Sequence, residues 1–262
     1  MKARSFQHTL GIIFVLLFAV SGSNTFAADK PAAKPPVAGN IADRWVLWPK
    51  AGHEKDFEAA AKEYTAWLKK AGDPFTWTAY QPVVGNDLTY YVFRSDNHQW
   101  KDFDAEEVWR EKAKDDEAYM RLIAPHVEKA AHYFEETDAA HSHMLGDLGD
   151  YKYFSVTTRT LKSGSRGDAM AAIEKIHKAL TDQKWPRSYR LAWTTGGKGS
   201  FRLIMPMKNW AEMADPNPTL YEALGKALGQ DDAAATLKQF STALEIADET
   251  IVVARPDLST QK

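Results

Sequence analysis

The strongest constraint on this chain is that, from Trp45 onward, it reads as one unit written twice. A shift of 112 positions places Tyr64 on Ile176, Leu68 on Leu180, Trp77 on Tyr189 and Gly85 on Gly197. Further along, a shift of 110 places Trp100 on Trp210, Phe103 on Met213, Val127 on Leu237 and Phe134 on Leu244. The same shift places Asp147-Leu148 on Asp257-Leu258. A repeat this long is a whole domain and not one turn of a solenoid. Residues 41–149 and 150–258 are therefore expected to fold alike, with a short tail at 259–262.

The segment ahead of the repeats has a different character. Lys2 and Arg4 precede an apolar run from Leu10 to Val20, and Thr25-Phe26-Ala27 has the small-x-small form of a cleavage site. Residues 1–27 read as a signal peptide, cut near Ala27, which places the mature chain in the periplasm or outside the cell. A retained anchor is the alternative, but the apolar run is short for a bilayer and no later segment is longer. Residues 28–40, rich in Pro, Ala and Lys, read as a disordered or polyproline-like linker. The chain has no cysteine, which excludes disulfides, thiolate nucleophiles, Cys-ligated metals and a lipidated cysteine. Its net charge of −2 becomes more negative without the leader, and argues against nucleic acid as a partner. Nine tryptophans and 12% aromatic residues call for large packed interfaces or an aromatic-lined cavity.

Periodicity gives the elements. Arg44 to Trp48 reads as a strand, and Phe57, Ala60, Ala61, Tyr64, Trp67, Leu68 and Ala71 form one helical stripe that Gly72-Asp73-Pro74 ends. Phe75 to Val83 and Leu88 to Arg94 flank Gly85-Asn86-Asp87 as a hairpin. A helical stretch follows from about His98, interrupted near Pro125, whose second part carries Ile123, Val127, Ala130 and Phe134 on one face. Asp138 to Leu145 is expected to be the closing strand. The second half repeats this order: strand Tyr151 to Thr160, a helix with Ala169, Ala172, Ile173, Ile176 and Leu180, and a hairpin around Gly196-Gly197-Lys198-Gly199. Helices from Leu220 to Leu228 and over Ala233, Leu237, Phe240 and Leu244 follow, then a strand from Thr250 to Ala254.

Each half thus reads β-α-β-β-α-β, an α+β ferredoxin-like unit with an antiparallel sheet covered on one face by helices. Yet Trp45-Val46-Leu47-Trp48 and Thr89-Tyr90-Tyr91-Val92-Phe93 are apolar at consecutive positions, so both sheet faces want burial. The simplest cover for the free face is the other half's sheet, the two packing face to face. In element order and doubling, the chain resembles the dimeric α/β-barrel superfamily, which includes antibiotic-biosynthesis monooxygenases and haem-handling proteins. That resemblance implies a pseudo-dimeric α/β barrel in a monomer. It carries no family motif, so it supplies no catalytic residue and no cofactor.

Polar residues present in only one half mark where the halves specialise. His141-Ser142-His143, on a strand, would turn both imidazoles to one face, at the positions that the shift of 110 gives to Ile251 and Val253 in the second half. An enclosed pair can ligate a metal or act as acid and base, with Glu128, His132 and Glu135 nearby; a frayed strand would instead leave both in solvent. Trp77, Tyr80, Tyr91, Tyr189, Trp193 and Phe201 fall on hairpin strands, where they either pack as core or line a cavity for a planar apolar ligand. Arg94, Arg190 and Arg202 share these strands; inside a barrel each would need a carboxylate or an anion, so an outward position is the simpler expectation. Three functions are consistent with this reading. The first is an exported protein binding a small aromatic or apolar ligand. The others are a monooxygenase-like or haem- or metal-handling enzyme using His141 and His143, and an envelope protein-interaction module.

Overall fold

Eight antiparallel strands close into a single barrel, each hydrogen-bonded to two neighbours, in the order β1-β3-β2-β8-β5-β7-β6-β4. The structure is a computed structural model describing residues 39–197 and 200–260; the expected signal peptide and nearly all of the expected linker lie outside the described residues. The first half comprises β1 (Ile41–Pro49), α1 (Glu54–Ala71), β2 (Trp77–Val84), β3 (Tyr91–His98), α2 (Trp100–Ala113), α3 (Asp115–Leu122) and β4 (Val127–Thr137). The second comprises β5 (Tyr153–Leu161), α4 (Arg166–Asp182), β6 (Arg190–Thr195), β7 (Ser200–Met207), α5 (Leu220–Leu228), α6 (Gln230–Thr242) and β8 (Leu244–Ala254). Within each half the strands pair in ferredoxin-like order, β2-β3-β1-β4 and β6-β7-β5-β8. The two sheets do more than face each other: ladders β2–β8 and β4–β6 join them edge to edge, so among the described residues no barrel strand is left with an unpaired side. Among the described residues, no helix is long and apolar enough to cross a membrane.

Strand alternation decides what faces where. On β1, Arg44, Val46 and Trp48 point into the barrel, while Trp45 and Leu47 point outward beneath the helices. The consecutive apolar positions of the sequence are therefore buried on both faces, one by helices and one by the opposite half. Helix α1 buries Phe57, Ala60, Ala61 and Leu68 against the outer face and ends at Gly72, whose φ of 74° closes the last turn.

Two expectations are corrected. Val127–Thr137 is a strand, not the second part of a helix. Its Glu, Lys and Ala favour helix, and its apolar spacing fits a helical period. Pairing with β1 on one side and β6 on the other overrides both signals. Asp138 to Leu145 is in turn no closing strand: Ala139–His141 is a 3-10 turn, followed by a single bridge from His143 to Tyr189. The shift of 110 fails for the same reason, since it pairs Val127 of β4 with Leu237 of α6. Trp100 and Trp210, paired by that shift, are 53% and 47% exposed. Matching β4 to β8 sets the true offset there at 117. The 112 shift holds for β1/β5 and α1/α4.

The offset of 117 exposes an exchange between halves. After β4, residues 138–143 run beside β6 of the second half; after β8, residues 255–260 run beside β2 of the first. The two contacts match in detail. Ser142 Oγ accepts from Leu191 N at 3.0 Å and donates to Asp138 O at 2.6 Å. Ser259 Oγ accepts from Ala79 N at 2.9 Å and donates to Arg255 O at 2.8 Å. Ser259 and Thr260 are thus a clip and not a loose tail, and Leu258 is fully buried in the first half's core with Phe57 and Ile123.

Candidate functional site: two matched cavities on the outer sheet faces

Each half carries a cavity between its outer sheet face and its helices, about 400 Å³ in the first half and about 310 Å³ in the second. They are equivalent positions of the repeat. Ala61, Tyr64, Leu68 and Trp77 line the first, and Ile173, Ile176, Leu180 and Tyr189 line the second, each pair related by the 112 shift.

The first cavity is aromatic with an acidic side. Trp45, Tyr64, Trp77, Phe93, Trp109 and Tyr119 line it, all half-buried because each turns a face to the open space. Against them stand Asp73, Glu106 and Asp115, with Arg110 as the cation among them. Asp73 accepts from Trp77 Nε1 at 2.8 Å, Tyr64 donates to Asp115, and Arg110 Nε meets Asp115 at 3.0 Å. Glu106 is left with a long 3.7 Å approach to Arg110. Burial, reinforced by Asp43, Asp73 and Asp115, pushes its carboxyl up to about 7. Burial likewise raises Asp73. This side of the cavity holds more acid than it can neutralise, and it accepts hydrogen bonds or positive charge.

The second cavity has histidines where the first has none. His141 Nδ1 meets the Asp138 carboxylate at 2.9 Å, and His177 Nδ1 meets the Tyr189 hydroxyl at 2.9 Å. The two imidazoles stand 5.8 Å apart, edge to face, and the His143 ring lies 5.9 Å from Tyr189. Burial, with His141 and His143 adding repulsion, lowers the His177 pKa and keeps its ring neutral. Under the offsets of 112 and 117, His177 replaces Thr65, His141 replaces Leu258 and His143 replaces Thr260. In the first half Thr65 Oγ1 donates to Leu258 O, so the same two positions touch there as well.

The sequence-predicted residues are therefore dispersed. Trp77 and Tyr189 line the two outer cavities, while Tyr80 faces the barrel interior against Phe154. Tyr91 is core beneath Phe57, its hydroxyl donating to Glu58 at 2.7 Å. Trp193 lies outside both outer cavities, under the Arg166 guanidinium. His141 and His143 do gather, but through the 3-10 turn and the bridge to Tyr189 and not by strand alternation. Their expected neighbours Glu128, His132 and Glu135 lie on β4: His132 stacks on Trp45 and meets Asp43 at 2.6 Å, and Glu135 is fully buried against the inward-facing Arg44, Arg94 and Arg202. Among the described residues, the one trio of ligand-type groups close enough to share a metal ion is His53, Asp56 and His126, a surface set. The residues missed from sequence are Glu106 and His177. His177 had a signal, since the 112 shift sets it on Thr65.

Several solved structures share this architecture. A protein of Lactobacillus acidophilus NCFM assigned as a monooxygenase superposes with TM-score 0.51 at 9% identity, over 82% of this chain and 93% of its own. A mutant chlorite dismutase from Candidatus Nitrospira defluvii gives 0.52 at 8%, over 84% and 93%. An anthrone oxidase-like protein gives 0.50 at 9%, over 85% and 94%. This chain has the dimeric α/β-barrel fold. The dimeric α/β-barrel likeness covers both halves, so the doubled unit is the barrel's own two sheets in one polypeptide. At these identities it shows the fold alone. No protein-family model and no curated protein sequence matches the chain.

Proposed function

We propose that this is an exported binding protein, acting as a monomer, that holds a small aromatic or apolar molecule in the first half's outer cavity. The observation that carries it is the ring of half-buried Trp45, Trp77, Trp109, Tyr64 and Tyr119 around open space. Apolar faces turned to a cavity gain free energy when a ligand displaces water from them. The surplus of acid at Asp73, Glu106 and Asp115 favours a ligand bearing a donor or an ammonium group, which the indole faces also attract. Export is supported by the basic start and apolar run of residues 1–27. The test is tryptophan fluorescence titrated with 2-naphthylmethylamine. Saturable quenching that Trp77→Ala weakens at least tenfold and Tyr189→Ala leaves unchanged is expected; equal effects of the two variants would overturn the reading.

A second reading, an enzyme or metal- or haem-handling protein, is favoured by the Asp138–His141 and His177–Tyr189 pairs at the second cavity. Its donor set fits an imidazole-ligated iron or haem, because each ring has one nitrogen fixed by a partner and His177 is held neutral, the state that ligates. Titration with haemin and with Fe(II), followed by absorbance, tests it. A spectral change lost in His177→Thr supports it, and no change in the unsubstituted protein overturns it.

A further inference from the structure

The barrel interior holds a third cavity, about 370 Å³, on the opposite face of the sheets from the two just described. Four arginines from four strands project into it: Arg44 on β1, Arg94 on β3, Arg190 on β6 and Arg202 on β7. Two carboxylates answer them. Glu135 of β4, fully buried, meets Arg44 Nε at 2.6 Å and Arg202 Nη1 at 2.8 Å and also accepts from Arg94. Asp96 meets Arg94 Nη2 at 3.0 Å and Arg190 Nη1 at 3.1 Å. The set is electrically incomplete, with two positive charges in excess. Arg190 Nε and Arg202 Nε are buried and, among the described residues, have no hydrogen-bond partner.

The surplus is visible in the charges themselves. Burial and repulsion from Arg202 push the Arg44 guanidinium down to about 10, and burial and Arg94 lower Arg190. An excess of desolvated guanidinium is costly unless an anion joins it. Beyond the arginines, Val46, Val92, Phe154, Val156, Ile204 and Val252 give the cavity an apolar part, and Tyr80, Tyr133, Thr158 and Thr250 also line it. Its lining includes the exposed Asp248 and the half-buried Trp48 and Tyr90, with Lys129 lying over the Trp48 ring at 4.5 Å.

We propose that the barrel interior is a binding site for a small organic carboxylate, its head on Arg190 and Arg202 and its apolar body along the valines. The site draws residues from both halves and is independent of the outer cavities. Its occupant also differs in charge from the ligand assigned to the first half. One strand serves both, since Arg44 points inward where Trp45 points outward.

The test is isothermal titration of the folded chain with 3-phenylpropanoate and with its neutral amide. One-site binding of the carboxylate, at least tenfold tighter than the amide, is expected. Arg202→Gln should weaken it at least tenfold, and Val156→Phe, which keeps every charge and fills the apolar part, should abolish it. Trp77→Ala should leave it unchanged, which separates this site from the outer cavity. No carboxylate binding, equal binding of the amide, or unaltered affinity in a folded Val156→Phe protein would each overturn the proposal.

Discussion

The two outer cavities start from the same backbone and end with opposite chemistry. Their walls correspond position by position along α1 and α4, yet one is ringed by indoles beside surplus carboxyls and the other holds two imidazoles. One part of the difference lies where the two halves exchange segments. In the first half the incoming turn delivers Leu258, a core plug; in the second the matching turn delivers His141, fixed by Asp138. The two halves thus share a scaffold, and the crossing segments contribute to the difference between their cavities.

The largest expected effect tests that contrast directly. Leu258→Ala empties a fully buried site and should cost about 2–5 kcal/mol in urea unfolding. His141→Ala, at the matching but half-exposed position, should cost about 1 kcal/mol or less. Equal losses would mean that the histidine has become a core residue in its turn, and the contrast would be gone.

The next effect separates the cavities by pH. Glu106 has a folded pKa of about 7 against an ordinary 4.5, so its contribution to stability is complete below 4.5 and is lost as pH rises through about 7. Glu106→Gln should therefore gain about 1–2 kcal/mol over the unsubstituted protein at pH 8, a figure reduced for the water that reaches the group, and nothing at pH 4. His177 has the opposite sign. Its folded pKa lies below 6.5, so its contribution is complete above 6.5 and is lost as pH falls. Denaturation followed from pH 4 to pH 8 in Glu106→Gln and His177→Thr should change the two slopes in opposite directions; a common direction breaks the comparison.

The smallest effect sharpens it. Ser142→Ala and Ser259→Ala each strip the same pair of hydrogen bonds from matching clips, and each should cost about 1 kcal/mol in the same assay. Additivity in the double variant is expected, because the clips sit on opposite halves. Strong coupling would show that the exchanged segments communicate across the barrel.

Much of this was readable in advance. The α1 stripe from Phe57 to Leu68, its end at Gly72 and the hairpins came from local chemistry, and the 112 shift relating Trp77 to Tyr189 held. Val127–Thr137 was misread because its local preferences point to helix, and only its neighbours β1 and β6 make it a strand. That single error displaced the second alignment and hid the true counterparts of His141 and His143. Glu135, expected as a helix-borne ligand, could not be placed without its arginines, which come from positions 44, 94 and 202. Arg94, Arg190 and Arg202, expected to point outward, are instead inside, where Glu135 and Asp96 meet only part of the stated need for carboxylates.

By itself, then, the sequence determined the repeat, the α+β units and the burial of both sheet faces, because these follow from periodicity that each segment carries alone. Only the tertiary structure decided the barrel's closure, the exchange of segments and which charges share a cavity. Those depend on residues tens to hundreds of positions apart, and no local pattern encodes the partner a buried charge or a crossing turn will meet.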